Sequence, residues 1–194
     1  MFYIPIILGS VRTGRQSPKA ARFMFQRMQQ SNKIETEIID LLDCRFPIME
    51  ERLKNLENPP PGVREFSEKV KRADALVVVS PEYNFGYPGV LKNALDYLLP
   101  EYQRKPIAFV TVSAGPFGGL HCLAQLRQVA FGFGALPIPA SLPVSRIQDA
   151  FDDEGNPSDP AYEKRAQAFI EELLWFTEAI ATQRAKVAKI AGSV

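Results

Sequence analysis

The chain has 194 residues, with 23 Lys plus Arg against 22 Asp plus Glu and a formal net charge of +1, so it lacks the cationic surplus of a protein that binds nucleic acid by neutralising phosphates. The length suits one domain, and a composition 46% hydrophobic can fill the core of a domain that buries roughly 70% of its unfolded surface. No apolar run is long enough for a transmembrane helix, and two cysteines, Cys44 and Cys122, make no disulfide framework, so a single domain over 1–194 in the cytoplasm is expected.

Tyr3 to Leu8 is a short apolar run that reads as a strand; it lacks the basic start of a signal peptide. Pro5 sits badly in a central strand and is expected near the strand's start. The loop GSVRTGRQSPKAA comes next. Ala20 to Gln30 reads as a helix, with Ala20, Phe23, Met24, Arg27 and Met28 at helical spacing. Ile34 to Leu41 reads as a second strand. After a loop with three consecutive prolines, Val63 to Arg72 reads as a helix. ALVVVS, Ala75 to Ser80, is rich in β-branched residues and reads as a strand buried on both faces. Pro88 to Leu98 reads as a helix and PIAFVTVS, Pro106 to Ser113, as another buried strand. A glycine-rich turn leads to a helix from Leu120 to about Phe133. ALPIPASLPVS, dotted with proline, reads as a last strand at a sheet edge. One long helix is expected over about 160–190, with a buried stripe of Tyr162, Ala166, Phe169, Leu173, Phe176 and Ile180. Trp175 lies off that stripe and could mark an interface. The end, RAKVAKIAGSV, is expected to fray. There are no repeats, low-complexity tracts or linkers.

Alternating strands and helices, with strands apolar throughout, predict an α/β fold with a doubly wound parallel sheet. The length suits a five-stranded flavodoxin-like sheet of order 2-1-3-4-5 with helices on both faces. Ligands of such sheets bind outside the carboxyl ends of the strands, where the order reverses. Three loops leave those ends: Gly9 to Ser17, Ser80 to Gly89, and Ser113 to Gly119.

GSVRTGRQS offers hydroxyls at Ser10 and Ser17, guanidinium forks at Arg12 and Arg15, and the backbone N–H groups of a following helix, which together suit a phosphate. It is neither a Walker loop nor the dinucleotide fingerprint. The competing reading is two solvated arginines and a serine that caps a helix before Pro18. In SPEYNFGYPGVLKNALDYL, the PEYN turn offers a rigid aromatic wall at Tyr83, an amide at Asn84 and backbone near Glu82 for a flat ligand; core or subunit packing would explain the same aromatics. In SAGPFGGLHCLAQLR, Gly115, Gly118 and Gly119 allow close approach of a ligand, or form a plain strand-to-helix turn.

Taken together, GSVRTGR, SPEYNFGYPGVLKNALDYL and VSAGPFGG resemble the NADPH-dependent FMN reductases, flavodoxin-like flavoproteins that include quinone and azo-dye reductases. The resemblance covers roughly Ile4 to Pro139, and the PEYN-x-G-x-PG-x-LKNALD stretch is its specific part. It implies noncovalent FMN. Ser10, Arg12 and Ser17 would hold the phosphate, with Arg15 and Gln16 as further candidates. Pro81, Glu82, Tyr83 and Asn84 would border the isoalloxazine, and Ser113, Gly115 and Gly118 its other edge. It also implies a ping-pong cycle in which NADPH, or NADH, gives hydride to the flavin and a small acceptor such as a quinone, azo compound or free flavin then takes the electrons. No protein residue need act as acid, base or nucleophile, and no metal is required. A homodimer or homotetramer is implied, with Phe85 and Tyr87 adding subunit contacts; Lys92, Asn93 and Asp96 would be structural or interfacial. The alternative is a flavodoxin-like electron carrier or flavin-based sensor, for which strong acidity would be expected.

HCLAQLR imitates a cysteine phosphatase loop, but Cys122 and Arg127 are one residue too close and the stretch reads as helix. His121, the only histidine, is expected to cap or pack. Asp152 to Glu154 reads as a solvated acidic turn, too short for a calcium loop.

Overall fold

A computed structural model of the chain describes residues 1–191, with side chains through Val187. Strands β1 (Phe2–Tyr3) and β2 (Ile6–Leu8) lead to α1 (Ser17–Gln29), then β3 (Ile34–Glu35), β4 (Ile38–Asp40) and the short α2 (Leu41–Cys44). Next come α3 (Val63–Arg72), β5 (Leu76–Pro81), α4 (Gly89–Asp96), β6 (Pro106–Val112), α5 (Leu120–Gly132), β7 (Leu136–Val144), α6 (Ile147–Ala150) and α7 (Ala161–Ala191). The five-stranded sheet has the order β4-β2-β5-β6-β7, all parallel. That is the expected 2-1-3-4-5 winding.

The first two strands are each broken once. Pro5 separates β1 from β2, and β1 pairs with β3 as a separate two-stranded piece. The neighbours Ile4 and Ile6 still donate to Glu35 and Glu37 at 2.9 and 2.8 Å, while the Pro5 carbonyl accepts from Val77 at 3.1 Å. The missing proline donor therefore removes one bond on the β5 side only. The expected single strand from Ile34 to Leu41 is likewise divided at Thr36 and Glu37, and Leu41 already belongs to α2, capped by Asp40.

β7 occupies the outer edge, where its prolines are tolerated, and the register slips opposite Ile107 and Phe109 across Pro139. Alternate residues of the central strands face opposite layers. Ile6, Leu8, Val77, Val79 and Val110 pack under α1 and α7; Ile7, Val78, Ile107 and Phe109 pack under α3, α4 and α5. Each fully buried side chain of this kind contributes roughly 1.5–3 kcal/mol, and two such layers fix which strand ends lie together.

In α7, Tyr162, Ala166, Phe169 and Leu173 are buried on the inner stripe, Phe176 and Ile180 are half-buried, and Trp175 is 64% exposed. The expected fraying concerns 184–194; the helix continues through Ala191, and 192–194 lie outside the described residues.

Candidate active site

The three loops converge as the winding requires. A cavity of about 140 Å³ is lined by Arg12, Gly14, Arg15, Gln16 and Ser17 from the first, Pro81, Glu82 and Tyr83 from the second, and Val112, Ser113, Ala114 and Ile147 around the third. Ser10 is not among the lining residues but is bonded to one of them. The buried Ser10 hydroxyl meets the Tyr83 phenol at 2.8 Å, and the Arg12 guanidinium carbon lies 5.8 Å from the Tyr83 ring centre.

α1 starts here with Pro18 in its first turn and no side chain capping its N–H groups. The competing reading gave Ser17 that capping task, and it does not perform it. Ser17 is 1% exposed, and its Oγ is one of two buried side-chain oxygens without a partner among the described residues, the other being Tyr102 Oη. An unpaired buried hydroxyl costs about 1–3 kcal/mol. One that lines a cavity beside a helix N-terminus is suited to an anionic oxygen.

The two arginines differ. Arg12 is exposed and has no carboxylate partner among the described residues. Arg15 is bound bidentately to Asp40 at 2.7 and 2.5 Å, and Nη1 also donates to the Ser10 carbonyl. Hydrogen bonding to Asp40 raises the Arg15 pKa above its ordinary value. Arg15 therefore lines the cavity with its charge already matched. Gln16 lines the cavity while its Nε2 bonds the Gly14 carbonyl at 3.2 Å.

Tyr83 to Gly86 closes a tight turn through reciprocal backbone bonds of 2.8 and 2.9 Å, with φ of +50° at Asn84 and +66° at Phe85. Two left-handed central residues make a mirror-image hairpin turn. Asparagine tolerates that region; for phenylalanine it is unusual. Gln125 secures the turn by donating to the Phe85 carbonyl at 2.9 Å. Asn84 sits exposed at the tip of this turn and is not among the residues that line the cavity. The Glu82 side chain is also committed: it accepts from the Cys122 N–H at 3.0 Å, serving as the cap that α5 lacks.

Gly115 and Gly118 are also absent from the lining of this cavity. Gly115 is exposed, lies outside the cavity lining, and accepts from the Ser113 hydroxyl and the Arg146 N–H at 3.1 and 3.0 Å. Gly118 is buried under β7, where an added Cβ would lie 2.8 Å from Pro143 Cβ. Strand packing at a φ of +62° by itself accounts for a glycine there. Sequence reasoning missed Asp40, Val112, Ala114 and Ile147. For Asp40 the only signal was its position at the end of the second strand.

Cys122 is buried, and burial pushes its thiol up to about 11, unlike a phosphatase nucleophile. His121 packs edge-on against Phe85 at 4.7 Å. Asp152 accepts from the Asn156 backbone and side chain, and no metal-holding cluster occurs among the described residues. Asn93 is structural: it accepts from Met49 and donates to Pro47 at 2.7 and 2.8 Å. Tyr87 packs against the core beneath α4 and α5.

Residues 3–149 match the protein family described as NADPH-dependent FMN reductase. The chain is 33% identical over 175 residues to an NAD(P)H-dependent FMN reductase of Pseudomonas aeruginosa, covering 87% of this chain and 92% of that one. It is 34% identical over 142 residues to an NAD(P)H-dependent FMN reductase of Saccharomyces cerevisiae, covering 66% and 73%. It is 34% identical over 129 residues to a quinone reductase of Escherichia coli K12, covering 63% and 66%. In fold it is similar to the flavoenzyme NAD(P)H:(acceptor) oxidoreductase of Paracoccus denitrificans, with a TM-score of 0.74 at 23% identity over 94% of this chain and 98% of that one. The chain belongs to the NADPH-dependent FMN reductase family and is an FMN-dependent NAD(P)H oxidoreductase.

Proposed function

We propose that the cavity is the FMN site, that donor and acceptor use one open side of it in turn, and that the acceptor is a small flat molecule such as a quinone. The observation that carries the site assignment is the orphaned Ser17 hydroxyl, buried in the cavity wall beside the free Arg12 guanidinium and the uncapped start of α1. The residues fit the group: Ser17 and the α1 N–H groups supply neutral donors for a phosphate, and Arg12 supplies charge. Pro81, Glu82, Tyr83, Ser113 and Ala114 would border the ring. When bound, FMN supplies the two-electron chemistry, accepting hydride from NAD(P)H and passing electrons to the acceptor.

A cavity of about 140 Å³ is smaller than the roughly 300–1,000 Å³ of enclosing ligand pockets. This chain alone would therefore leave much of a bound flavin open. Phe85 and Phe117, 67% and 69% exposed on the two bordering loops, are the exposed aromatic side chains of those loops. They suit a planar acceptor, and no side chain is needed to transfer protons.

The same region supports assembly into a homodimer or homotetramer. α5 carries one charged residue, Arg127, and leaves Leu120 and Phe131 exposed at 49% and 65%. A helix apolar on several sides is normally covered. The thiols of Cys44 and Cys122 are free, which favours the cytoplasm. No helix among the described residues is long and apolar enough to cross a membrane.

The test is an anaerobic visible-spectrum titration with FMN, followed by NADPH and then NADH. A bound-flavin spectrum that bleaches with a pyridine nucleotide and recovers on adding a quinone is expected. Failure to bind FMN would overturn the site, and recovery with free flavin but not with quinone would overturn the acceptor.

A further inference from the structure

We propose that Asp40 is a positioning residue for the phosphate loop: it holds Arg15 as a strut across the loop's neck and leaves Arg12 to supply the charge. The proposal rests on the reading of the cavity as the FMN site.

Asp40 is the last residue of β4, on the edge strand, and the β2–β4 register sets it opposite Leu8, where the loop leaves the sheet. Its carboxylate accepts both arms of Arg15, at 2.7 and 2.5 Å, and Oδ1 also accepts the Leu42 N–H at 2.9 Å, which caps α2. Arg15 Nη1 in turn donates to the Ser10 carbonyl. The strut thus runs from the sheet edge through a planar fork to the backbone of Ser10. Between these anchors, Val11 to Gly14 are exposed, linked back to the neck by Arg15 N to Arg12 O at 3.1 Å, Arg12 N to Ser10 Oγ at 3.5 Å and Gln16 Nε2 to Gly14 O at 3.2 Å.

The pairing separates geometry from charge. The two side chains are only 14% and 20% exposed, so the pair is shielded from bulk solvent. A bidentate guanidinium–carboxylate pair fixes direction as well as distance. It also presents no net charge to an incoming phosphate, whereas Arg12 is unmatched among the described residues. Arg15 would therefore act on FMN through the shape of the loop.

The experiment compares dissociation constants for FMN and for riboflavin, which has the ring without the phosphate, by flavin fluorescence. Asp40→Asn and Arg15→Gln are each expected to weaken FMN about tenfold, the double variant no further than either single one, because paired residues couple. Riboflavin affinity should be unchanged in all three. Arg15→Lys, which keeps a cation and loses the fork, should behave like Arg15→Gln and serves if the other variants fold poorly. Asp40→Asn should also keep the wild-type salt dependence of FMN binding, while Arg12→Ala should flatten it.

If Arg15 were itself the phosphate's charge partner, releasing it with Asp40→Asn would leave FMN binding unchanged or tighter, and that result overturns the proposal. So does Arg15→Lys binding FMN like the wild type. Riboflavin weakened as much as FMN would show a general structural role and likewise overturn it. A wild-type protein that binds neither flavin removes the cofactor reading and this inference together, an outcome distinct from the others.

Discussion

The Ser10 hydroxyl and the Tyr83 phenol lie 2.8 Å apart across 73 positions of sequence, and this bond holds a tyrosine that lines the cavity. It ties the first loop to the PEYN turn. Ser10 is fully buried, and its oxygen has only one other partner, the Arg12 N–H at 3.5 Å, among the described residues.

Tyr83→Phe keeps the ring and removes the bond. A destabilisation of about 1 kcal/mol is expected, with FMN affinity reduced because both loops lose their mutual reference. Urea unfolding and FMN titration measure the two effects. Unaltered FMN binding in a destabilised variant would place the bond outside the cofactor site.

Ser17→Ala should move stability and binding in opposite directions. Deleting a buried hydroxyl that has no partner is expected to stabilise the flavin-free protein by about 1 kcal/mol. FMN should bind more weakly, since the cavity loses a donor. Thermal melts with and without FMN give both quantities. A loss of stability without FMN would show that the hydroxyl has a structural partner after all.

Gly115 and Gly118 separate sharply. Gly118→Ala places a Cβ 2.8 Å from Pro143 Cβ and 3.0 Å from Val144 N at a φ of +62°. A loss of roughly 2–4 kcal/mol is expected from strain and overpacking. A methyl group added at Gly115 would meet nothing within 4 Å, and Gly115→Ala should stay within about 0.5 kcal/mol. Comparable melting points for the two variants would contradict the packing described for β7.

Lys105 gives the protein a pH dependence. It is 5% exposed, donates to the Val70 and Lys71 carbonyls at the end of α3, and burial lowers its pKa from 10.5 to about 8. Between those values the unfolded chain holds a proton that the folded chain has released, so the contribution of Lys105 to stability rises with pH across that window. That contribution should gain about 2 kcal/mol from pH 8 to 10, opposed in part by the buried Cys122 thiol, which ionises first in the unfolded chain; a neutral amine retains two N–H donors for the two carbonyls. Above pH 10, Tyr3 acts in the opposite sense, because burial and the Glu37 bond raise its pKa while the unfolded phenol ionises. Urea unfolding of the wild type and Lys105→Met at pH 8 and 10 tests this. The difference between the two proteins should grow in favour of the wild type, and a constant difference would refute it.

The winding of the sheet, its two buried faces and the meeting of three loops were legible because each depends on local pattern: apolar runs of strand length, helical spacing and turn residues. The break at Pro5 was visible as a conflict, but its resolution was not. It required the neighbouring strand to divide at Thr36, where the Thr36 hydroxyl donates to the Ile4 carbonyl at 2.8 Å. PEYN read correctly as a rigid turn, but the left-handed φ values that make Asn84 and Phe85 its tip do not follow from the residue types alone.

The sequence by itself determined the α/β winding, the loops that carry the site and the family resemblance, since these reside in patterns a few residues long. Tertiary structure alone decided what similar residues do there. Arg12 and Arg15 lie three positions apart in one loop, but strand register brings Asp40 to Arg15 and leaves Arg12 free. Gly115 and Gly118 share a loop, but β7 presses on only one of them. A side chain's role depends on which distant partner desolvates or pairs it, and long-range packing chooses that partner.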